Sequence, residues 1–183
     1  MCEGLDTVYS WRHDEIVLEI LTAVKKKWEI ISVNENAVSK WLPANFTPEF
    51  RATKPDITVI NDTVDKAILV RLIEISIAYD ADDNLREAEA RKIGKYKGLM
   101  LAIMKHLAKL NPKRVVKVAI VPLIIGSRGA MPESWFEYLQ KILLLSDSEI
   151  KALSAKCHIK TIEGSHWVWT KFCAIHHGRI DNR

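Results

Sequence analysis

Glu74 stands in the middle of an apolar run, AILVRLIEISI, at positions 67–77. Alternate side chains of a strand share a face, so Val70, Leu72, Glu74 and Ser76 point one way, and Leu69, Arg71, Ile73, Ile75 and Ile77 the other. A carboxylate in line with apolar neighbours is costly unless it meets a cation, a donor or a metal. A second carboxylate, Asp56, directly follows Pro55 and opens the run DITVI (56–60). Pairing of the two runs brings both acids together. Two carboxylates on neighbouring strands make a hard oxygen site suited to Mg²⁺ or Mn²⁺. Such an ion lowers the pKa of a bound water and neutralises charge that develops on a phosphodiester. The same residues have a plainer reading, in which Asp56 caps a turn and Glu74 pairs with a buried Lys or Arg.

The elements that must position these acids follow from periodicity. Ile16, Val17, Ile20, Leu21 and Val24 recur at helical spacing and predict an amphipathic helix over 12–28, capped near Ser10. WEIISV is a short strand, and residues 34–53, with Pro43 and Pro48, form a connecting loop. DITVI and AILVRLIEISI, separated by the polar NDTVD, predict an antiparallel hairpin. Residues 84–110 form a long helix with Ile93, Tyr96, Met100, Ile103, Met104 and Leu107 on one stripe. RVVKVAIVPLII is almost continuously apolar, as in a strand covered on both faces. Pro132 starts a helix that runs to Leu145, and DSEIKALSAK is a further short helix. This order predicts an α/β layer fold.

The chain has 183 residues, of which 48% are hydrophobic and 27% charged, enough for one domain with a core of its own. Its formal charge of +4 tilts towards nucleic acid. The basic residues are locally dense at Lys105, Lys109, Lys113, Arg114 and Lys117, which form either a DNA-binding run or a solvated face. Three cysteines without CxxC spacing exclude a disulfide framework and point to a reducing compartment. The longest apolar run is too short to span a bilayer, so no membrane partner is expected. The spacing Cys157-x8-His166-x6-Cys173-x2-His176 fits no zinc module.

KPD at 54–56 followed by IEIS at 73–76 has the form of the PD-(D/E)xK nuclease motif, with Ser76 in place of the final lysine. The surrounding segments YSWRHDEIVLEI, TKPDITVI, IEISIAYDADDN, EARKIGKYKGL and VAIVPLIIGSRGAMPE occur in this order. Together they resemble the restriction-enzyme-like endonuclease domain of site-specific non-LTR retrotransposons, over about residues 9–145. The resemblance implies a restriction-endonuclease-like core, a central mixed sheet flanked by helices, similar to Holliday-junction resolvases. Residues 146–183 would then be a C-terminal extension.

Carried over residue by residue, the family pattern makes Asp56 and Glu74 the ligands of a Mg²⁺ or Mn²⁺ ion, with the Ile75 carbonyl completing its shell. Ser76 cannot polarise the attacking water as a lysine does, and related nucleases with this departure recruit a lysine from the following helix. Lys92 and Lys95 match that pattern, and on an ideal helix Lys92 is the better aimed of the two. Tyr96 lies on the core stripe, where it is a packed aromatic or a catalytic group. Glu89 either holds Lys92 or touches metal-bound water. RHDE in the first helix offers Asp14 or Glu15 as a further acid of the metal site, and His13 as a ligand or phosphate contact. Arg12 is a neighbouring residue for the same role. These charges also suit a helix terminus.

The implied activity is nicking of target DNA, whose freed 3′-hydroxyl primes reverse transcription. The implied partners are double-stranded DNA and the reverse transcriptase domain of the same polyprotein, and the implied location is the nucleus. Two rivals stand beside it. One is a structure-selective resolvase acting as a homodimer. The other is a catalytically silent DNA-binding module. The family's Trp-Asp and Thr-Asp pairs are replaced here by Trp41-Leu42 and Thr47-Pro48.

Overall fold

A computed structural model describes residues 5–34, 50, 53–62 and 67–177. Most of the loop expected at 34–53, including Trp41-Leu42 and Thr47-Pro48, lies outside the described residues, as does most of the NDTVD turn.

Helix α1 spans Leu5–Val24 and is followed by strand β1, Glu29–Val33. The helix starts before Ser10 because Val8 is buried (2% exposed) and extends the apolar stripe by two turns. Strands β2 (Ile57–Asn61) and β3 (Ala67–Ala78) form the predicted antiparallel pair. Helix α2, Asp82–Leu110, then crosses over to strand β4, Val115–Gly126, which runs parallel to β3. Asp82 and Asp83 in the first turn of α2 and Lys109 in the last complement its dipole. The four strands of this mixed sheet lie in the order β1-β2-β3-β4, with a register shift between Ile30 and Ser32.

Helices cover both faces, and the alternation along β3 decides which. Leu69, Ile73 and Ile75 join Ile16 and Ile20 of α1 in one core cluster. Val70 and Leu72 join Tyr96, Leu99 and Ile103 of α2 in another. Each large aliphatic side chain so buried contributes roughly 1.5–3 kcal/mol. The helix predicted from Pro132 to Leu145 is a short α-helical piece, α3 (Glu133–Glu137), continued by a π-helical turn, Tyr138–Ile142.

The last element departs furthest from expectation. Instead of a helix over 147–156 with an unassigned tail, α4 runs unbroken over Asp147–His177. Ser146 and Glu149 cap its start reciprocally: the Ser146 N–H donates to the Glu149 carboxylate at 2.8 Å, and the Glu149 N–H to Ser146 Oγ at 3.4 Å. Its inner positions beyond the first turns are Cys157, Thr161 and Gly164, all buried. These are small residues that allow close packing on α1. The bulky Trp167, Trp169 and Phe172 are the exposed ones. A hydrophobicity pattern built on large side chains therefore points to the wrong face. Ile150, Leu153 and Cys157 belong to the same core as α1. No described helix is long and apolar enough to cross a membrane.

Candidate active site

The ends of β2 and β3, the first half of α1 and the first half of α2 meet at a cleft of about 280 Å³. Asp56, Glu74 and Ser76 line it from the strands, Lys92 from α2, and Tyr9, Arg12 and His13 from α1.

Glu74 is 3% exposed and points to the α2 side of the sheet. Lys92 Nζ donates to its Oε1 at 2.6 Å, and Lys95 Nζ lies 3.5 Å from the same oxygen. Tyr96 donates its hydroxyl to Oε2 at 2.6 Å. The same phenol lies 2.7 Å from the Lys54 carbonyl, so one proton faces two acceptors, of which the carboxylate is the stronger. Burial first, and the Glu74 carboxylate second, push the Tyr96 phenol far above its ordinary pKa, so it stays a donor. Of the two roles weighed for Tyr96 the structure shows the packed aromatic: its ring lies in the core, and its hydroxyl holds Glu74. The two lysines differ in setting. Lys92 is 18% exposed, while Lys95 is 45% exposed and lies over the Tyr96 ring at 4.7 Å.

Continuing the β2–β3 register by one step sets Asp56 opposite Glu74. Pro55 ahead of Asp56 is buried and lacks an N–H, which leaves Asp56 at the open end of the strand. Its backbone is tied to β1 by the Asn34 N–H, which donates to the Asp56 carbonyl at 2.8 Å. The Ile75 N–H donates to Asp56 Oδ2 at 2.6 Å, and His13 Nε2 lies 3.3 Å from the same oxygen. His13 Nδ1 reaches Asp14 Oδ1 at 3.2 Å. The hydrogen bond to Asp56 is the main cause that raises the imidazole to about 9, against burial, which lowers it. At neutral pH His13 is thus a cation that donates from both ring nitrogens.

The remaining predicted residues divide. Asp14 reaches the site only through His13, and its side chain is 63% exposed. Glu15 pairs with Lys160 of α4 at 2.9 Å. Glu89 neither touches Lys92 nor faces the acids: it accepts from Ser134 Oγ at 2.7 Å and Tyr138 Oη at 2.8 Å, and so anchors α3 and the π-helical turn. Lys105, Lys109, Lys113 and Arg114 sit where α2 ends and β4 begins. Val115 pairs there with Ala67, seven residues along β3 from Glu74, or roughly 23 Å at the rise of a strand. Arg114 is engaged with Asp62 and with the Asp62 carbonyl at 3.0 Å. In the tail, Cys157 is buried in the core, where burial pushes its thiol up to about 12, and His158 Nδ1 lies 3.0 Å from the Gly129 carbonyl.

Among the described residues no three His, Cys, Asp or Glu side chains converge into a preformed metal cage. Asp56 and Glu74 still fit a hard divalent cation. They are opposed oxygen donors lining one cleft; Lys92 and Tyr96 hold the two Glu74 oxygens, and Asp56 Oδ1 carries no hydrogen bond among the described residues. Magnesium commonly takes one or two carboxylates and keeps several waters. Residues not anticipated from the sequence are Tyr9 in the cleft wall and Gly164 and Ser165 of α4, which contact Arg12. Their only signal was the mid-helix glycine.

No protein-family model matches the chain, and no curated protein matches it. Among solved structures, an N-terminal domain of a reptarenavirus L protein is similar at 16% identity and a TM-score of 0.36. The match covers 87% of this chain and 78% of that one.

Proposed function

We propose that this chain is a nuclease domain that hydrolyses a phosphodiester bond of double-stranded DNA, with Mg²⁺ or Mn²⁺ held by Asp56 and Glu74. The observation that carries the reading is the Lys92–Glu74 contact of 2.6 Å beside Asp56, in a cleft where Ser76 leaves the usual lysine position neutral. The relocated ammonium stands on α2, one helix face away from the strand that normally carries it. The ion, when bound, would supply charge neutralisation at the phosphate and a more acidic water.

The chain's own groups have separable tasks. The Ile75 N–H and His13 hold Asp56 in place, and Tyr96 orients Glu74. Lys92 and Lys95 bring positive charge to a carboxylate that would otherwise repel a phosphate. Released from Glu74, the Lys92 ammonium can stabilise an attacking hydroxide or donate a proton to the leaving oxygen. Ser76 lines the cleft without charge. The surrounding field favours a polyanion, since from Ala90 to Pro132 the chain has ten Lys or Arg and no Asp or Glu.

The sequence segments that resemble the restriction-enzyme-like domain of non-LTR retrotransposons support the finer reading. In it, the core has the restriction-endonuclease-like fold. The domain nicks its target in the nucleus, and the reverse transcriptase domain of the same polyprotein extends the freed 3′-hydroxyl. Labelled plasmid incubated with Mg²⁺ or Mn²⁺ tests the chemistry. Wild type converts supercoiled to open-circular DNA, and Asp56→Ala does not. Equal cleavage by both proteins, or none by either with any divalent ion, rejects the nuclease. Preferential cutting of four-way junctions by a dimer would favour the resolvase.

A further inference from the structure

Two arginines are buried without a carboxylate partner among the described residues. Arg71, 8% exposed, is satisfied where it lies. Its Nε donates to the Ile142 carbonyl at 3.2 Å, its Nη1 to the carbonyls of Val70 and Lys117 at 2.9 and 3.3 Å, and its guanidinium lies 5.1 Å from the Trp28 ring centroid. Arg12, 7% exposed, is satisfied only in part. Among the described residues its Nη1 donates to Ser165 Oγ at 2.6 Å, its guanidinium lies 5.5 Å from the Tyr9 ring centroid, and its buried Nε has no partner. Arg12 also lines the cleft with Asp56, Glu74 and Lys92. A buried N–H left unpaired on a cation is expensive, and an incoming anion recovers that cost.

The fold gives up local stability to keep Arg12 there. Its stem crosses α4 at Gly164, where a Cβ would stand 2.5 Å from Arg12 Cγ and 2.7 Å from Cδ. A mid-helix glycine costs about 1 kcal/mol relative to alanine, yet any larger residue would push Arg12 off the helix. Ser165 accepts from Arg12 and donates to the Ser127 carbonyl in the turn after β4. That turn is pinned in its own right. Asp80, beyond the end of β3, accepts from Ser127 Oγ and the Arg128 N–H, both at 2.7 Å. Its Gly129 has φ 88°, a conformation that favours glycine.

From these contacts we infer that Arg12 is the phosphate ligand of the cleft, that it grips a non-bridging oxygen of the nucleic-acid backbone, and that Gly164 and Ser165 of α4 are its positioning residues. The inference rests on the phosphodiester reading of the cleft, but its test needs no cleavage. A fluorescein-labelled DNA duplex is titrated in EDTA at several salt concentrations. Arg12→Met keeps much of the side chain's length and removes its charge. It should bind at least about tenfold more weakly, and the log–log salt slope should fall by about 0.9, the share of one phosphate contact. Arg12→Lys should recover part of both, as should low-millimolar guanidinium added to Arg12→Ala, a rescue that a packing role would not allow. Should Arg12→Met fail to fold, Ser165→Ala decides the matter in the same assay through a loss of about threefold or more in affinity. Folded variants that keep wild-type affinity and slope overturn the inference. Arg12-dependent binding without cleavage under any divalent ion would sink the nuclease and leave the anion site. Normal binding by Arg12→Met, with cleavage lost in Asp56→Ala, would do the reverse.

Discussion

Helix α2 carries lysines at both ends, in two different settings. Beside the cleft, Lys92 is mostly buried and held 2.6 Å from the buried Glu74, with Lys95 behind it. At the far end Lys105 and Lys109 are exposed, and Lys113 and Lys117 follow them into β4 equally exposed. The far end has more charges, but the chemistry differs in kind. A lysine fixed against a desolvated carboxylate has its position and proton tied to one geometry. An exposed lysine adds to the field around the molecule and keeps its freedom. Positive charge alone therefore says little about where a reaction takes place. A buried acid next to that charge says much more.

The hardest test of this contrast removes the acids. Glu74→Gln preserves volume and an acceptor for Tyr96, so the fold should hold while cleavage falls by about 10³-fold or more. Asp56→Asn should match it. With three donors around Glu74, removing its charge relieves no repulsion, so no gain in stability is expected. If Glu74→Gln cleaves within a few-fold of wild type, the cleft end is only a structural ion pair.

Next in size is the lysine itself. Lys92→Ala should lower the single-turnover cleavage rate by roughly two to four orders of magnitude at saturating divalent ion. Lys95→Ala should lower it less, because its ammonium is farther from Glu74 and half in solvent. Ser76→Ala should be close to wild type. Adding Ser76→Lys to Lys92→Ala should restore part of the rate by returning an ammonium to the strand face shared with Glu74. Equal rates for Lys92→Ala and wild type would dissolve the distinction between the two ends.

Much of the cleft end was legible in the sequence. The period of two along β3 put Glu74 on the face that α2 covers, and helical geometry ranked Lys92 above Lys95. The ranking holds although the stripe itself shifted: Ile93, expected in the core, is 38% exposed, and Leu99 is buried in its stead. What stayed hidden depended on long-range partners. Glu89 has the stripe position expected of a site residue, but the chain brings Ser134 and Tyr138 to it from 45 and 49 residues away. The continuation of α4 beyond residue 156 was hidden because its buried positions are Cys157, Thr161 and Gly164, residues that an apolar pattern does not register. The RHDE segment already offered Arg12 as a contact, but the burial of its stem against Gly164 and Ser165 depends on that hidden stretch of helix.

A smaller effect belongs to the far end. Replacing Lys105, Lys109 and Lys113 together with Gln should reduce the salt slope of duplex binding by up to about 0.9 for each phosphate that is no longer neutralised. The rate at saturating DNA should be unchanged. From Lys92 to Lys109 the helix rises roughly 25 Å, or about seven base pairs of duplex, so one DNA molecule can engage both ends. An unchanged slope would assign this run to a solvated face. Arg114 is left out of the triple variant because it is bound to Asp62.

The mildest test uses pH. The charge on His13 depends on its carboxylates: Asp56, and secondarily Asp14, hold its pKa at about 9 in the folded chain against 6.5 for an unperturbed imidazole. Between those values the folded protein keeps a proton that the unfolded chain has released. Low pH therefore favours folding. The contribution is complete below about 6.5 and is lost as pH rises through about 9. With the side chain 29% exposed, its size is on the order of 1–3 kcal/mol. Urea unfolding in EDTA at pH 6, 7.5 and 9 should show wild type losing that amount relative to His13→Gln. The triple lysine variant at the far end should follow the wild-type curve, because its charges face no buried acid. Parallel curves for wild type and His13→Gln would mean that the His13–Asp56 contact contributes nothing to the fold and that the charge at the cleft end is as free as that at the far end.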